Sequence, residues 1–223
     1  MTRDELLKQL YDDTLVGNAP SVLELTNQGL DMGLGPETLL YEALIPSLEE
    51  VGARFERGDF FVPEMLIAGK AMAGALEILR PLLAETGAQT IGTIVMGTVK
   101  GDVHDIGKNL VNIMFEGAGF QVIDLGVQVA PEKFADAIRE HKPEIVGFSA
   151  FLTTTMPMFK ANINVLEKQG LRDQVIIMVG GAPVTQEYAD VVGADGYASD
   201  ASAAVVRAKE LLAQRRAAVT AQA

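Results

Sequence analysis

The sequence has no cysteine and only two histidines, His104 and His141, among its 223 residues. Without cysteine the chain cannot form disulfides, thiolate nucleophiles, cysteine-ligated zinc sites or cysteine-ligated iron–sulfur clusters. Any chemistry that needs an imidazole must therefore use one of these two histidines.

Positive charge and long apolar runs are also scarce. The 18 Lys and Arg face 30 Asp and Glu, and the net charge of -12 predicts repulsion from nucleic-acid phosphates and anionic membrane surfaces. No apolar run approaches the roughly 18 residues of a membrane helix, and the opening MTRDELLKQL lacks the apolar core of a signal peptide. We therefore expect a cytoplasmic protein without a nucleic-acid or membrane partner.

The first part of the chain predicts helices. Up to about Leu83 the apolar residues recur at helical spacing, and β-branched runs are rare. The four predicted helices begin at the capping box of Thr2 and Glu5, after Asn18, at Pro36 and at Pro63. Pro46 should interrupt the third helix, and Pro81 should end the fourth. Residues 1–88 are therefore predicted to form an all-α domain, a four-helix bundle.

Beyond a polar linker at Glu85–Gln89 the pattern changes to short β-rich runs that alternate with amphipathic helical segments. The five runs predicted as strands are TIVMGTV, FQVIDLG, EIVGFSA, QVIIMVGG and GYAS. Apolar strands separated by helices are typical of a parallel sheet covered on both faces. Residues 89–223 are therefore predicted to form an α/β domain with a doubly wound, five-stranded parallel sheet.

Such sheets bind ligands at the carboxyl ends of their strands, so the loops after the strands are of most interest. The first of these loops, Lys100–Asn109, contains His104. Asp102 can accept a hydrogen bond from its Nδ1–H, which leaves Nε2 free and more basic. Gly107 leaves room for a bulky group at the start of the next helix. Proteins orient metal-binding histidines in this way, although an isolated Asp-x-His is more often a surface cluster or a pair that only braces a loop.

Several familiar sites do not fit this loop. Zinc would need further ligands, and His141 lies in a polar connector where we expect a solvated surface residue. Gly101 and Gly107 enclose five residues where a P-loop has four, and Asn109 stands where Ser or Thr would bind magnesium. The motifs G-x-G-x-x-G and G-x-S-x-G are missing. A metal held by one histidine must bring its other ligands with it, as in a macrocycle with four equatorial nitrogens.

Three motifs, in order, resemble the signature of cobalamin-binding domains. Asp102–Gly107 matches D-x-H-x-x-G, Ser149–Phe151 resembles S-x-L, and Gly180–Gly181 resembles the G-G motif. Phe151 stands in place of the usual Leu and preserves an apolar wall. The resemblance implies a Rossmann-like domain in which His104 ligates the cobalt of cobalamin, or of a related corrinoid, from below.

The resemblance also implies roles for other residues. In this family the nucleotide tail of the corrinoid lies in a slot beside the sheet. Gly107, Gly180 and Gly181 are implied to keep this slot open, while Ser149 and Thr153 are implied to hydrogen-bond the base of the tail.

Thr155 corresponds to a hydroxyl that completes a hydrogen-bond network in the family. It is implied to act together with Asp102 and His104 as the catalytic group, with proton uptake by the three following the oxidation state of cobalt.

The segment Val51–Glu64 resembles the helical cap of methionine synthase and of the corrinoid proteins of methyltransferase systems. There, side chains that correspond to Phe55 and Val62 cover the upper face of the corrin and shield its methyl group. Methionine synthase has Leu where this chain has Val62. By spacing alone both residues would be interpreted as bundle core, whereas the resemblance implies that residues 1–88 are a methyl cap.

A cap followed by a cobalamin-binding domain resembles the corrinoid carrier of a multicomponent methyltransferase system. Such a carrier, inactive alone, accepts a methyl group on one substrate-specific methyltransferase and passes it on, from methylcobalamin, at a second methyltransferase. The acceptor is tetrahydrofolate or a thiol such as coenzyme M, and a reductive reactivation protein is a further implied partner. Methanol, methylamines, glycine betaine and aryl methyl ethers all have carriers of this kind.

Two alternatives stay open. A cobalamin-dependent sensor or regulator shares both domains, but the sequence offers it no further segment for DNA binding. The small subunit of an adenosylcobalamin mutase shares only the second domain.

Overall fold

The computed structural model describes residues 1–86 and 90–222. Of the predicted linker Glu85–Gln89, the last three residues lie outside this description, while Glu85 and Thr86 end a helix. So far as they are described, residues 1–90 with 113–119 form one compact unit, and residues 91–112 with 120–223 form another. The first unit is helical and the second is α/β.

The helical unit contains the four predicted helices, the third of them divided. Its elements are α1 (Arg3–Leu15), α2 (Ala19–Asp31), α3 (Pro36–Leu39), a π-helical turn (Leu40–Leu44), α4 (Ile45–Glu56) and α5 (Val62–Thr86). The predicted capping box opens α1: the Thr2 hydroxyl accepts a hydrogen bond from the Glu5 amide, and the Glu5 carboxylate accepts one from the Thr2 amide.

Two prolines affect these helices differently. Pro46 has no N–H to donate to the carbonyl four residues earlier. The turn before it is widened to a π-helical turn, in which the Ile45 amide donates to the Leu40 carbonyl. The prediction that Pro81 ends the last helix is wrong, because α5 continues through it. Proline has a helix-compatible φ and removes a single hydrogen bond, so a long helix with a buried face can tolerate it.

The core of the helical unit consists of aliphatic side chains from all of its helices. Its fully or almost fully buried members include Leu6, Leu10, Val22, Leu39, Leu44, Leu48, Met72 and Leu79. Within residues 1–86 and 90–222, no helix is both long enough and apolar enough to cross a membrane.

The α/β unit is built on a five-stranded sheet. The strands are β1 (Thr93–Thr98), β2 (Gln121–Asp124), β3 (Ile145–Ser149), β4 (Ile176–Gly180) and β5 (Gly196–Tyr197). The later helices are α6 (Ile106–Gly117), α7 (Pro131–His141), α8 (Pro157–Lys168), α9 (Gln186–Val192) and α10 (Ala201–Gln222). The strand order is β2-β1-β3-β4-β5 and every pairing is parallel, which confirms the predicted fold class.

The pairing register aligns the predicted motifs at one edge of the sheet. Thr98 at the end of β1 lies beside Ser149 at the end of β3, and Ser149 lies beside Gly180 at the end of β4. The chain order reverses at β1, which has β2 on one side and β3 on the other. Ligands bind at such a switch point in open α/β sheets, because the loops after neighbouring strands diverge there.

Replacement of Phe134 by alanine should lower the free energy of unfolding by about 3–5 kcal/mol. Phe134 on α7 is fully buried and packs edge-to-face on Phe148 of β3, with 4.7 Å between ring centroids. Denaturant titration followed by circular dichroism measures the change. Val191→Ala, at a 74% exposed position on α9, is the control and should change stability by less than about 0.5 kcal/mol. Equal effects of the two substitutions would contradict the placement of Phe134 in the core.

Candidate functional site

The loop after β1 is held in place by Thr98, the last residue of that strand. The Thr98 hydroxyl donates to the carbonyl of Asp102 at 2.6 Å and accepts a hydrogen bond from the Gln128 amide at 3.0 Å. The Asp102 amide donates to the carbonyl of Val99 at 3.0 Å. Gln128 has a φ of 54°, a left-handed conformation that is uncommon for residues other than glycine. The loops after β1 and β2 therefore meet at the backbone of Asp102.

The carboxylate of Asp102 accepts five hydrogen bonds. Its Oδ1 accepts from the backbone amide of His104 at 3.0 Å and lies 2.9 Å from His104 Nδ1. Its Oδ2 accepts from the Thr155 hydroxyl at 2.6 Å and from the amides of Phe151 at 2.8 Å and Leu152 at 3.2 Å. The predicted association of Asp102, His104 and Thr155 is thus present, and the loop after β3 supplies three of the five donors.

These hydrogen bonds keep Asp102 ionised. Its side chain is fully buried, and burial by itself would raise the pKa of the carboxyl group. The hydrogen bonds from the Thr155 hydroxyl, from the amides of His104 and Phe151 and from the His104 ring outweigh burial and hold that pKa well below its usual range. Asp102 therefore carries its negative charge at neutral pH.

His104 is oriented through Nδ1 but remains partly open to solvent. Its side chain is 43% exposed, and its ring stacks on Phe151 with 4.7 Å between centroids and an interplanar angle of 29°. In the parts of the chain that the structure describes, no hydrogen bond engages Nε2. With Nδ1–H donated to a carboxylate, Nε2 carries the lone pair and is available to a metal.

Apolar side chains are exposed in the loops at this edge of the sheet and at the first residue of α6. They are Val103 and Ile106 beside the histidine, Val127 after β2, and Phe151 and Leu152 after β3. Clustered exposed apolar side chains are typical of a binding surface for a large apolar ligand.

The three predicted slot glycines are explained by different constraints. A Cβ added to Gly107 or Gly180 would meet no atom within 4 Å, so both positions border open space. Gly181 has a φ of +133°, and its Cβ would lie 1.8 Å from the carbonyl oxygen of Ala150. Gly181 is therefore required by the close approach of two backbone segments, whatever ligand is bound.

The remaining predicted site residues lie in both units. Ser149 is half-buried at the end of β3, and Thr153 is exposed in the turn that follows. Phe55 is half-buried near the end of α4, and Val62 is 37% exposed at the start of α5, so neither belongs to the buried core of the bundle. Their contacts with a corrinoid stay predictions.

The described residues suit a metal that brings its own ligands. Across residues 1–86 and 90–222, no group of three or more His, Asp or Glu could hold a bare metal ion. One oriented imidazole, an apolar surface around it and open space at Gly107 and Gly180 fit a macrocycle with an axial position to fill.

Sequence analysis missed several residues that shape this site. Thr98 contacts Asp102 within the loop after β1, and Gln128 reaches both residues only because the loops after β1 and β2 meet in the folded chain. Lys108 is buried on α6 and pairs with Asp124 at the end of β2. One signal was available: a lysine in the first turn of a helix is disfavoured by the helix dipole.

Comparison with known proteins agrees with this geometry. A family model described as a B12 binding domain matches residues 92–206, and a second model with the same description matches residues 6–80. The chain belongs to this B12-binding family. The two matches of this B12-binding protein lie in the parts predicted as cap and as α/β domain.

Two relatives and a solved structure show which members of the family this chain is similar to. Dimethylamine corrinoid protein 1 of Methanosarcina acetivorans is 42% identical over 214 residues, 96% of this chain and 100% of that protein. Trimethylamine corrinoid protein 2 of Methanosarcina mazei is 41% identical over 212 residues, 94% and 97% of the two chains. The methanol:cobalamin methyltransferase complex MtaBC from Methanosarcina barkeri matches with a TM-score of 0.84 and 29% identity, covering 95% of this chain and 81% of that one. The resemblance of this B12-binding chain to the corrinoid proteins of methyltransferase systems is thus confirmed.

Asp102→Asn should change how the stability of the ligand-free protein depends on pH. Because the folded-state pKa of Asp102 is lowered, its contribution to stability is complete above the unfolded-state pKa of about 4 and is lost as the pH falls toward the folded-state value. The wild type should therefore exceed Asp102→Asn in unfolding free energy by a constant amount above about pH 5, and by less at lower pH. Denaturant titrations between about pH 3 and 7 measure the difference.

Val191→Ala, which removes no ionisable group at an exposed position on α9, is the control and should give a curve parallel to that of the wild type. A parallel curve for Asp102→Asn as well would show that Asp102 has an ordinary pKa in the folded protein.

Proposed function

We propose that the chain is a corrinoid methyl carrier. The observation that carries this proposal is the pair formed by Asp102 and His104, which presents one oriented imidazole at the sheet edge of a member of the B12-binding family. When bound, the corrinoid supplies a cobalt centre that accepts a methyl group and gives it up again. The protein supplies the binding and orientation of that centre.

His104 Nε2 would bind the cobalt of the corrinoid. Asp102 accepts a hydrogen bond from Nδ1 and thereby increases the electron donation of the imidazole toward a metal. Thr155 and the amides after β3 hold Asp102 in place, so the ring cannot turn without breaking a buried network. Stacking on Phe151 further restricts the ring.

The nucleotide tail of the corrinoid is assigned to the slot beside the sheet. The open space at Gly107 and Gly180 supports this assignment, because side chains there would project into it. Ser149 and Thr153 would supply hydroxyl groups to the base of the tail. Phe55 and Val62 would cover the upper face, and their position outside the bundle core leaves them available for that contact.

Two methyltransferases are the proposed partners, one for the donor and one for the acceptor. A methylated amine is the donor class that the relatives favour, since the two named for dimethylamine and trimethylamine are 42% and 41% identical and the methanol complex 29%. We also propose a reductive reactivation protein as a further partner and the cytoplasm as the location of the chain.

Cobalt ligation can be tested by electron paramagnetic resonance. Protein reconstituted with cobalamin in the cobalt(II) state should show the hyperfine pattern of an axial nitrogen that changes when histidine is labelled with nitrogen-15. His104→Gln should abolish this histidine signal. His141→Gln, which removes the other histidine, should leave it intact. A signal insensitive to the label in the wild type would refute the assignment.

The carrier role can be tested by following the absorbance of the methylated corrinoid. Protein loaded with methylcobalamin should keep its spectrum when mixed with tetrahydrofolate or coenzyme M, because acceptor activation is assigned to a partner. Addition of an acceptor-side methyltransferase from the same host should discharge it. Recharging should occur with dimethylamine and the donor-side enzyme, and not with methanol. Repeated turnover by the purified chain with donor and acceptor alone would contradict the carrier role.

A further inference from the structure

Lys108 is buried in the first turn of a helix, a position unsuited to a lysine. Its side chain is 1% exposed, although lysine is rarely buried without a partner. It lies in the first turn of α6, where the helix dipole disfavours a positive charge. Local helix stability therefore does not explain this residue.

Lys108 connects α6 to the end of β2. Its Nζ donates to Asp124 Oδ2 at 2.5 Å and to Asn109 Oδ1 at 2.7 Å. The second oxygen of Asp124 accepts from the Gly126 amide at 2.8 Å, so the carboxylate that receives Lys108 is itself held by the loop after β2. The ion pair thus ties the first turn of α6 to the start of that loop.

Asn109 extends this connection toward the histidine. Its side-chain amide donates to Asp105 Oδ2 at 3.1 Å, and its backbone amide donates to the Asp105 carbonyl at 2.7 Å. Asp105 directly follows His104. One chain of hydrogen bonds therefore links the ammonium group of Lys108 to the side chain of Asn109 and from there to Asp105, the residue next to His104.

The two ends of the histidine segment are attached to the same loop. At one end, the Asp102 carbonyl accepts a hydrogen bond from the Gln128 amide at 3.0 Å. At the other end, Lys108 binds Asp124. These two contacts hold residues 102–108 against residues 124–128, and His104 lies between them.

We propose that the ion pair of Lys108 with Asp124 positions His104 as the lower ligand of the corrinoid. The proposal rests on the proposed corrinoid function. An ion pair between a buried and a partly exposed side chain adds little net stability, but it imposes a directional contact. Here that contact fixes where the first turn of α6 begins relative to β2. Lys108 acts through this backbone placement and does not itself touch the metal.

The test uses cobinamide, a corrinoid without the nucleotide tail. Because no tail base is present to ligate cobalt from below, a lower nitrogen ligand must come from the histidine. Lys108→Met keeps the length of the side chain and removes the charge. Because outer contacts of metal ligands typically affect metal affinity by about 10–100-fold, this variant should bind cobinamide about tenfold more weakly. Its cobalt(II) spectrum should also show a smaller proportion of histidine-ligated cobalt.

Asp124→Ala removes the other partner at a partly exposed position and should give the same two changes even if Lys108→Met fails to fold. The double variant should be no weaker than the weaker single variant, because both substitutions break one interaction. Additive losses would contradict the ion pair as the positioning element.

Arg172→Met is the matched control. It breaks the ion pair of Arg172 with Asp195, whose charged atoms are 2.8 Å apart. Arg172 precedes β4 and Asp195 precedes β5, so this pair lies at the amino ends of the strands, away from His104. This variant should keep the affinity and the spectrum of the wild type. If it changes both as much as Lys108→Met does, or if Lys108→Met and Asp124→Ala change neither, the proposal is overturned. A wild type without any histidine-ligated cobalt would instead refute the proposed function.

Discussion

The buried carboxylate of Asp102 is the constraint on which the candidate site depends. An ionised carboxylate is costly to bury unless hydrogen bonds replace its water, and Asp102 accepts five of them from two loops. The fold must therefore bring the loops after β1 and β3 together for the charge to be tolerated. Once they meet, the same carboxylate sets the orientation of His104, so the imidazole geometry follows from the closure of the loops.

The parallel sheet makes this closure possible. β1 and β3 are neighbours in register, with Thr98 beside Ser149, so the loops that leave them start side by side. β2 lies on the other side of β1, and its loop contacts the backbone of Asp102 through Gln128. The histidine loop is thus held from both sides by loops that are distant in sequence. Gly181 contributes in another way, since it lets the loop after β4 approach Ala150 closely.

The sequence predicted the elements well because their signals are local. Apolar spacing, the capping box at Thr2 and the β-rich runs each depend on residues within a few positions of one another. The prediction that Pro81 ends a helix was wrong because packing along α5 outweighs the loss of one hydrogen bond. Phe151 was predicted to form an apolar wall in place of the usual leucine, and its stacking on His104 became visible when the loops were placed together.

The sequence by itself determined which chemistries were excluded and which histidine mattered. A chain without cysteine has no thiolate site, and the order of three motifs indicated one ligand-binding edge. Tertiary structure alone decided other contacts between distant segments: the Phe151 amide reaches Asp102 across 49 positions, and Lys108 reaches Asp124 across 16. The physical reason is that residue spacing encodes interactions within one helix or strand. The pairing of a buried charge depends on which loops the folded sheet brings together.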